Sequence, residues 1–144
     1  MAGRMSRAAA LASTLAAVLA TVAAAGCGGE SADLFAVDRT GDVPGAQLRV
    51  VVNDAGPVRC NDGEERRLPE DLLLDAREIA RDLVEPAEDA LRLEPRPQSV
   101  LRYEVHTPEG RIVFADNSAG RPPVLDQLAF LVRRIAREVC GLER

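Results

Sequence analysis

The stretch that decides the fold is Ser99–Asp116, SVLRYEVHTPEGRIVFAD. In its first half Leu101, Tyr103 and Val105 alternate with Arg102, Glu104 and His106, the period-2 signature of a strand with one apolar and one solvated face. Pro108-Glu109-Gly110 marks a turn, and Arg111–Asp116 returns with Ile112 and Phe114 on the apolar side. The stretch therefore predicts a β-hairpin that needs an apolar layer against one face.

Working outward, Pro123–Val139 carries Val124, Leu128, Leu131, Val132, Ile135 and Val139 at helical spacing, with Gly141 as its stop. Upstream, Leu68–Val84 sets Leu72, Ala76, Ile79, Ala80 and Leu83 on one stripe; Pro69, Glu70 and Asp71 suit a first turn. Pro86 ends or kinks this helix, and Glu85–Leu93 reads as a further helical turn. Leu34–Thr40 alternates weakly and Gln47–Asn53 clearly, through Leu48, Val50 and Val52. Asp54-Ala55-Gly56-Pro57 is a turn, Val58–Cys60 a short returning strand, and Asn61–Glu65 a polar loop. Strands, helix, hairpin and helix in that order predict an α+β domain over 34–144, a small antiparallel sheet with two helices on one face.

The first thirty residues read as an address. Arg4 and Arg7 precede an uncharged run from Ala8 to Ala25, closed by small residues, as in an export signal over 1–26. A membrane-spanning anchor is the competing reading, opposed by the weak hydrophobicity of a run rich in Ala and by the absence of a following cationic cluster. Ala24-Ala25-Gly26-Cys27 resembles the lipobox of bacterial lipoproteins, with Ala24 where Leu is commonest. Cleavage by an ordinary signal peptidase remains the alternative. The chain has 3 Cys, an odd set for an exported protein. Lipidation of Cys27 leaves Cys60 and Cys140 to pair as a disulfide and accounts for every sulfur. The expected location is the outer face of the cytoplasmic membrane, lipid-anchored through residues 27–33, or a secreted soluble form. Two or more acyl chains would make that anchoring durable.

Composition narrows the function. All 18 basic residues are Arg, a usage that with the abundant Ala fits a GC-rich bacterial genome, and the net charge of −5 argues against nucleic acid as partner. Removing residues 1–26 deletes two Arg and no acid, so the mature balance is 16 − 23 = −7. His106 is the sole imidazole, placed on the solvated strand face; Ser31, Ser99 and Ser118 stand in no nucleophile elbow. Asp62-Gly63-Glu64 lacks calcium-loop spacing, and a chain with 1 Tyr, 3 Phe and no Trp is poor in sugar platforms. No cofactor, metal or catalytic residue is expected, and the chain reads as a non-enzyme and a monomer. Two segments are candidates for binding. Arg133, Arg134 and Arg137 form a cationic cluster that either touches anionic headgroups or is simply a charged helix face. Arg39-Thr40-Gly41-Asp42-Val43-Pro44-Gly45 reads as a defined loop between strands, a usual place for a binding surface or else a plain connector.

That loop carries a resemblance. The chain resembles emfourin, a family of small protein inhibitors of thermolysin-like metallopeptidases whose Arg/Lys-Ser/Thr-Gly-Gly-x-x-Gly loop is similar to Arg39–Gly45, with Asp42 in place of the second Gly. Tyr103, Gly110, Asp116, Pro122-Pro123 and Leu125/Leu128 occupy the places of that family's later motif residues; the segment with Cys60, its partner Cys140 and the anchor depart from it. The resemblance implies a protein partner, an extracellular peptidase. The alternative is a structural or assembly lipoprotein that docks a cell-envelope partner.

Overall fold

The structure is a computed structural model that describes residues 31–142. The expected export signal, the expected lipidation site Cys27 and most of the expected linker lie outside the described residues. The chain forms one six-stranded antiparallel sheet with three helices, an α+β domain: β1 (Asp33–Gly41), β2 (Leu48–Asn53), β3 (Pro57–Cys60), β4 (Glu65–Arg67), α1 (Glu70–Asp82), α2 (Val84–Glu88), β5 (Leu101–His106), β6 (Arg111–Ala115) and α3 (Pro123–Glu138). The strand order is β4-β3-β2-β1-β5-β6. Every neighbour but one is a sequential hairpin; the exception is β1 on β5, which brings Gly41 opposite Leu101 and Ala36 opposite His106.

Alternation sets the layers. Phe35, Val37, Val50, Val52, Val58, Tyr103, Val105, Ile112 and Phe114 turn to one face and are buried there. Leu72, Ala76 and Ile79 of α1 and Leu125, Leu128, Leu131, Val132 and Ile135 of α3 close over them. Tyr103 and Phe114 stack face to face with ring centroids 4.8 Å apart, tying the hairpin together from its buried side. The opposite face is polar and laced by exposed ion pairs: Arg49 on Asp38 at 2.6 Å, Arg111 on Glu104 at 3.0 Å and Arg59 on Glu65 at 2.7 Å. Such pairs contribute little each, but they keep that face wet.

Both sheet edges are protected. The outer side of β6 is covered where Leu93 N–H donates to Val113 O at 2.8 Å and Val113 N–H to Leu91 O at 2.9 Å. The other edge, β4, is three charged residues long. Reading Asn61–Glu65 as loop up to the helix missed this strand, because Glu65-Arg66-Arg67 offers no apolar alternation. Its cause is tertiary: it pairs with β3, and Arg66 Nη1 donates to Val139 O at 2.5 Å, at the carbonyl end of α3. The first helix stops at Asp82 and a short second one resumes at Val84, since Pro86 has no N–H to continue the ladder.

Strand β5 starts at Leu101 and β6 ends at Ala115, two and one residues inside the expected bounds. The Asp116 carboxylate explains both: it accepts Ser99 Oγ at 2.8 Å and the Val100 N–H at 3.3 Å, turning the chain before pairing begins. Glycine 110 is needed for close approach, because a Cβ there would stand 2.2 Å from Ala87 O, where α2 packs on the hairpin turn. Cys60 and Cys140 form the expected disulfide, with Cα atoms 5.8 Å apart, and fix the end of α3 to the β3 side of the sheet.

Candidate functional site

The two segments that the sequence singled out meet at one end of the sheet. Arg39 lies in β1 with the same parity as Phe35 and Val37, so its side chain points to the helix layer and is only 3% exposed. A buried guanidinium requires acceptors. Arg39 Nε donates to Ala46 O at 3.0 Å and Nη2 to Gly45 O at 2.9 Å. The β1–β2 connection is thereby held to its own strand. Ala46 N–H closes a turn on Val43 O at 3.1 Å, and Gly45 takes φ 76°, which a side chain would oppose. At Gly41 a Cβ would fall 2.1 Å from Val100 O, so only glycine lets β1 approach the start of β5.

The expected loop Arg39–Gly45 is thus corrected in extent. Arg39, Thr40 and Gly41 belong to β1, and the turn proper is Asp42–Gly45. Within it Asp42, Pro44 and Gly45 are exposed, whereas Val43 is half-buried.

Helix α3 supplies the other wall. Arg133 and Arg137 are one turn apart (i, i+4) and line, with Arg39, Val43, Gly45, Ala46, Val100 and Leu101, a cleft of about 400 Å³. Arg134 points elsewhere: it pairs with Glu138 at 2.9 Å and with Asp71 of α1 at 3.0 Å, and lies 3.8 Å from Asp75. The cationic cluster therefore divides into one arginine that ties two helices together and two that face the cleft. Among the described residues neither Arg133 nor Arg137 enters a salt bridge.

The electrostatics follow from this convergence. Burial, together with the nearby charge of Arg133, lowers the pKa of Arg39, and Tyr103 opposes the shift. Burial raises the pKa of the Tyr103 hydroxyl, against the pull of Arg39 and Arg133. Around Arg134 the hydrogen bonds run the other way, holding Asp71 and Glu138 below the usual carboxylate range. The cleft end is positive in a chain whose net charge is negative.

The remaining candidates are placed apart. His106 is on the solvated face, 43% exposed at the side chain, with Nε2 3.2 Å from Glu104 Oε1 and 3.6 Å from Asp38 Oδ2. Ser99 Oγ is held on Asp116, and Ser118 Oγ donates to Leu93 O while accepting the Ala115 N–H, so neither hydroxyl is brought to the imidazole. Among the described residues no group of three His, Cys, Asp or Glu side chains is gathered as a metal site, and no helix is long and apolar enough to cross a membrane. Asp62, Gly63 and Glu64 are exposed.

Sequence reading missed Val100 and Leu101 as cleft walls. The sequence carried no signal for them: Leu101 reads as a core-facing strand residue, and the 46% exposure of Val100 is visible only in the folded chain. The positions of the emfourin-like pattern fall mostly on structural posts. Tyr103 stacks on Phe114, Gly110 meets Ala87, Asp116 caps β5, Pro122 precedes α3, and Leu125 and Leu128 are buried. In comparisons with known proteins, no family model, no curated protein and no solved structure matches this chain.

Proposed function

We propose that this chain is an exported, lipid-anchored binding module without catalytic activity, which docks a protein partner at the end of the sheet formed by Arg39–Gly45 and α3. The observation that supports the reading is the stapled turn itself. A buried arginine spends two donors on fixing the Gly45 and Ala46 carbonyls, and a turn held in one conformation loses little entropy when a partner meets it. The partner that the emfourin-like pattern suggests is a thermolysin-type peptidase. Anchoring at Cys27 would place the domain within about 20 Å of the lipid, because only six residues separate Cys27 from Leu34.

Titration of the purified chain against a panel of thermolysin-like peptidases tests the inhibitor reading; slowing at micromolar concentration is expected, and unchanged rates across the panel would remove it. Mass spectrometry of the mature N-terminus tests the anchor, with acylated Cys27 expected. Crosslinking from intact cells through a photoreactive residue at position 42 separates the partners: a peptidase supports inhibition, whereas a wall-building or transport complex supports the assembly-lipoprotein alternative.

A further inference from the structure

The cleft has a composition that says what it takes. Its cations are Arg133 and Arg137 at the rim and Arg39 at the floor, and its walls are the aliphatic Val43, Val100 and Leu101. Among the described residues lining it there is no carboxylate. The bland explanation for arginines late in a helix is compensation of its negative end, an effect that fades within the last turn. That accounts for Arg137, which lies in the last turn of α3, but not for Arg133, which precedes it. Arg133 instead stands over the cleft one turn before Arg137, and neither of these two exposed arginines enters a salt bridge among the described residues.

We propose that this cleft binds a peptide carboxylate adjoining an apolar side chain, with Arg133 and Arg137 forking the carboxylate and Val43, Val100 and Leu101 receiving the side chain. A phosphate-selective site gathers backbone N–H groups or a helix N-terminus around a compact anion; here the helix presents its carbonyl-terminal half and the walls are apolar. A lipid headgroup is the less suitable source. The cleft lies at the Gly41 end of β1, and the described chain enters at the Asp33 end, about 27 Å away over eight residue rises. A domain tethered through its N-terminal end carries the cleft on its far side.

The inference rests on the reading of this end as the docking end, and it names the chemistry that the partner must present. The experiment uses the full chain, isotopically labelled, in a non-ionic detergent, and follows backbone amide shifts. N-acetyl-leucine supplies a terminal carboxylate, N-acetyl-Leu-Asp-amide a side-chain carboxylate, and N-acetyl-leucinamide neither. At least one carboxylate probe is expected to shift the amides of Val43, Val100, Leu101, Arg133 and Arg137 with an affinity of about 1 mM, the range for so small a ligand. Which of the two binds tells a chain terminus from an internal acidic residue. The leucinamide and the R133Q/R137Q double variant should each bind about tenfold more weakly or worse, as loss of a charge-assisted hydrogen bond requires. R134Q should bind within about twofold of the parent, since Arg134 faces α1. Both cleft arginines are exposed, so an unchanged melting temperature will certify the double variant as folded.

Absence of shifts at the cleft, or equal binding of leucinamide and carboxylate, would overturn the proposal. So would inorganic phosphate or phosphatidylglycerol vesicles moving these amides more strongly than the carboxylates do. Crosslinks from position 42 that reach a partner equally well in R133Q/R137Q would sink the carboxylate assignment and leave the docking reading standing. Crosslinks that never form at this end would sink the docking reading itself.

Discussion

Replacing Cys60 and Cys140 together by Ser should cost about 4.5 kcal/mol of stability, most of it through the unfolded state. The two residues are 80 apart, and closing a loop of that length removes about 15 cal/mol/K from the denatured chain on the chain-entropy model. A domain of this size has about 5–15 kcal/mol in total, so between a third and nearly all of it is at stake. The folded state should lose little, because other contacts hold the same ends. Arg66 still reaches the Val139 carbonyl, and the Leu142 N–H still donates to Ala136 O at 2.8 Å. Equilibrium urea unfolding of the parent and the C60S/C140S variant, followed by far-ultraviolet circular dichroism, measures the difference. With an m value of about 1.2 kcal/mol/M for the parent, the midpoint should fall by roughly 3–4 M, and m should rise because the open chain exposes more surface when unfolded. A loss under about 1.5 kcal/mol with m unchanged would refute the reasoning, since it would mean that the cross-link restrains a denatured ensemble already restrained by something else.

Three further outcomes follow from named contacts. G41A and G110A place a Cβ 2.1 Å from Val100 O and 2.2 Å from Ala87 O, both backbone atoms, so each should lose about 1–3 kcal/mol in the same urea assay. R39M removes the donors from the Gly45 and Ala46 carbonyls and should lose roughly 1–3 kcal/mol, with faster hydrogen exchange at the Ala46 amide; R39K should not restore it, because one ammonium cannot reproduce the planar fork. Asp71 and Glu138 have pKa values lowered by Arg134, so their contribution is present above the usual carboxylate range and is lost as pH falls through the lowered values, below about pH 4. The urea midpoint of R134Q should therefore fall less between pH 5 and pH 2 than that of the parent.

The parts of the fold visible in the sequence are those where burial repeats at a fixed period. Leu101, Tyr103 and Val105 announced β5, and the stripe through Leu128, Leu131, Val132 and Ile135 announced α3, because each element buries one face against the same core. Pairing between β1 and β5 has no such trace, since register between strands as far apart in sequence as Gly41 and Leu101 depends on which faces meet and not on local pattern. Strand β4 is invisible for a related reason: Glu65, Arg66 and Arg67 are all exposed, and the strand exists through β3 and a helix carbonyl. At the site, the parity of Phe35 and Val37 already pointed Arg39 inward. Charge made it read as a loop residue, yet a buried arginine is stable wherever two backbone carbonyls receive it.

Arg39 also determines how the cleft must be interrogated. It belongs to the fold, by fixing the turn and sitting on the buried face beside Tyr103, and to the cleft, as its floor. Any substitution there changes the shape of the cleft and its charge at once, so weakened binding by R39M would not tell recognition from collapse. Arg133 and Arg137 carry charge without carrying the fold: they are exposed, and the neighbouring core residues Val132, Ile135 and Ala136 hold the helix in place. Neutralising the pair alters the field of the cleft while leaving its walls where they are. On the proposed function, recognition at this end of the molecule would for that reason be decided at the rim, and a partner that ignored the rim arginines while requiring the Arg39 staple would be reading the shape of the turn alone.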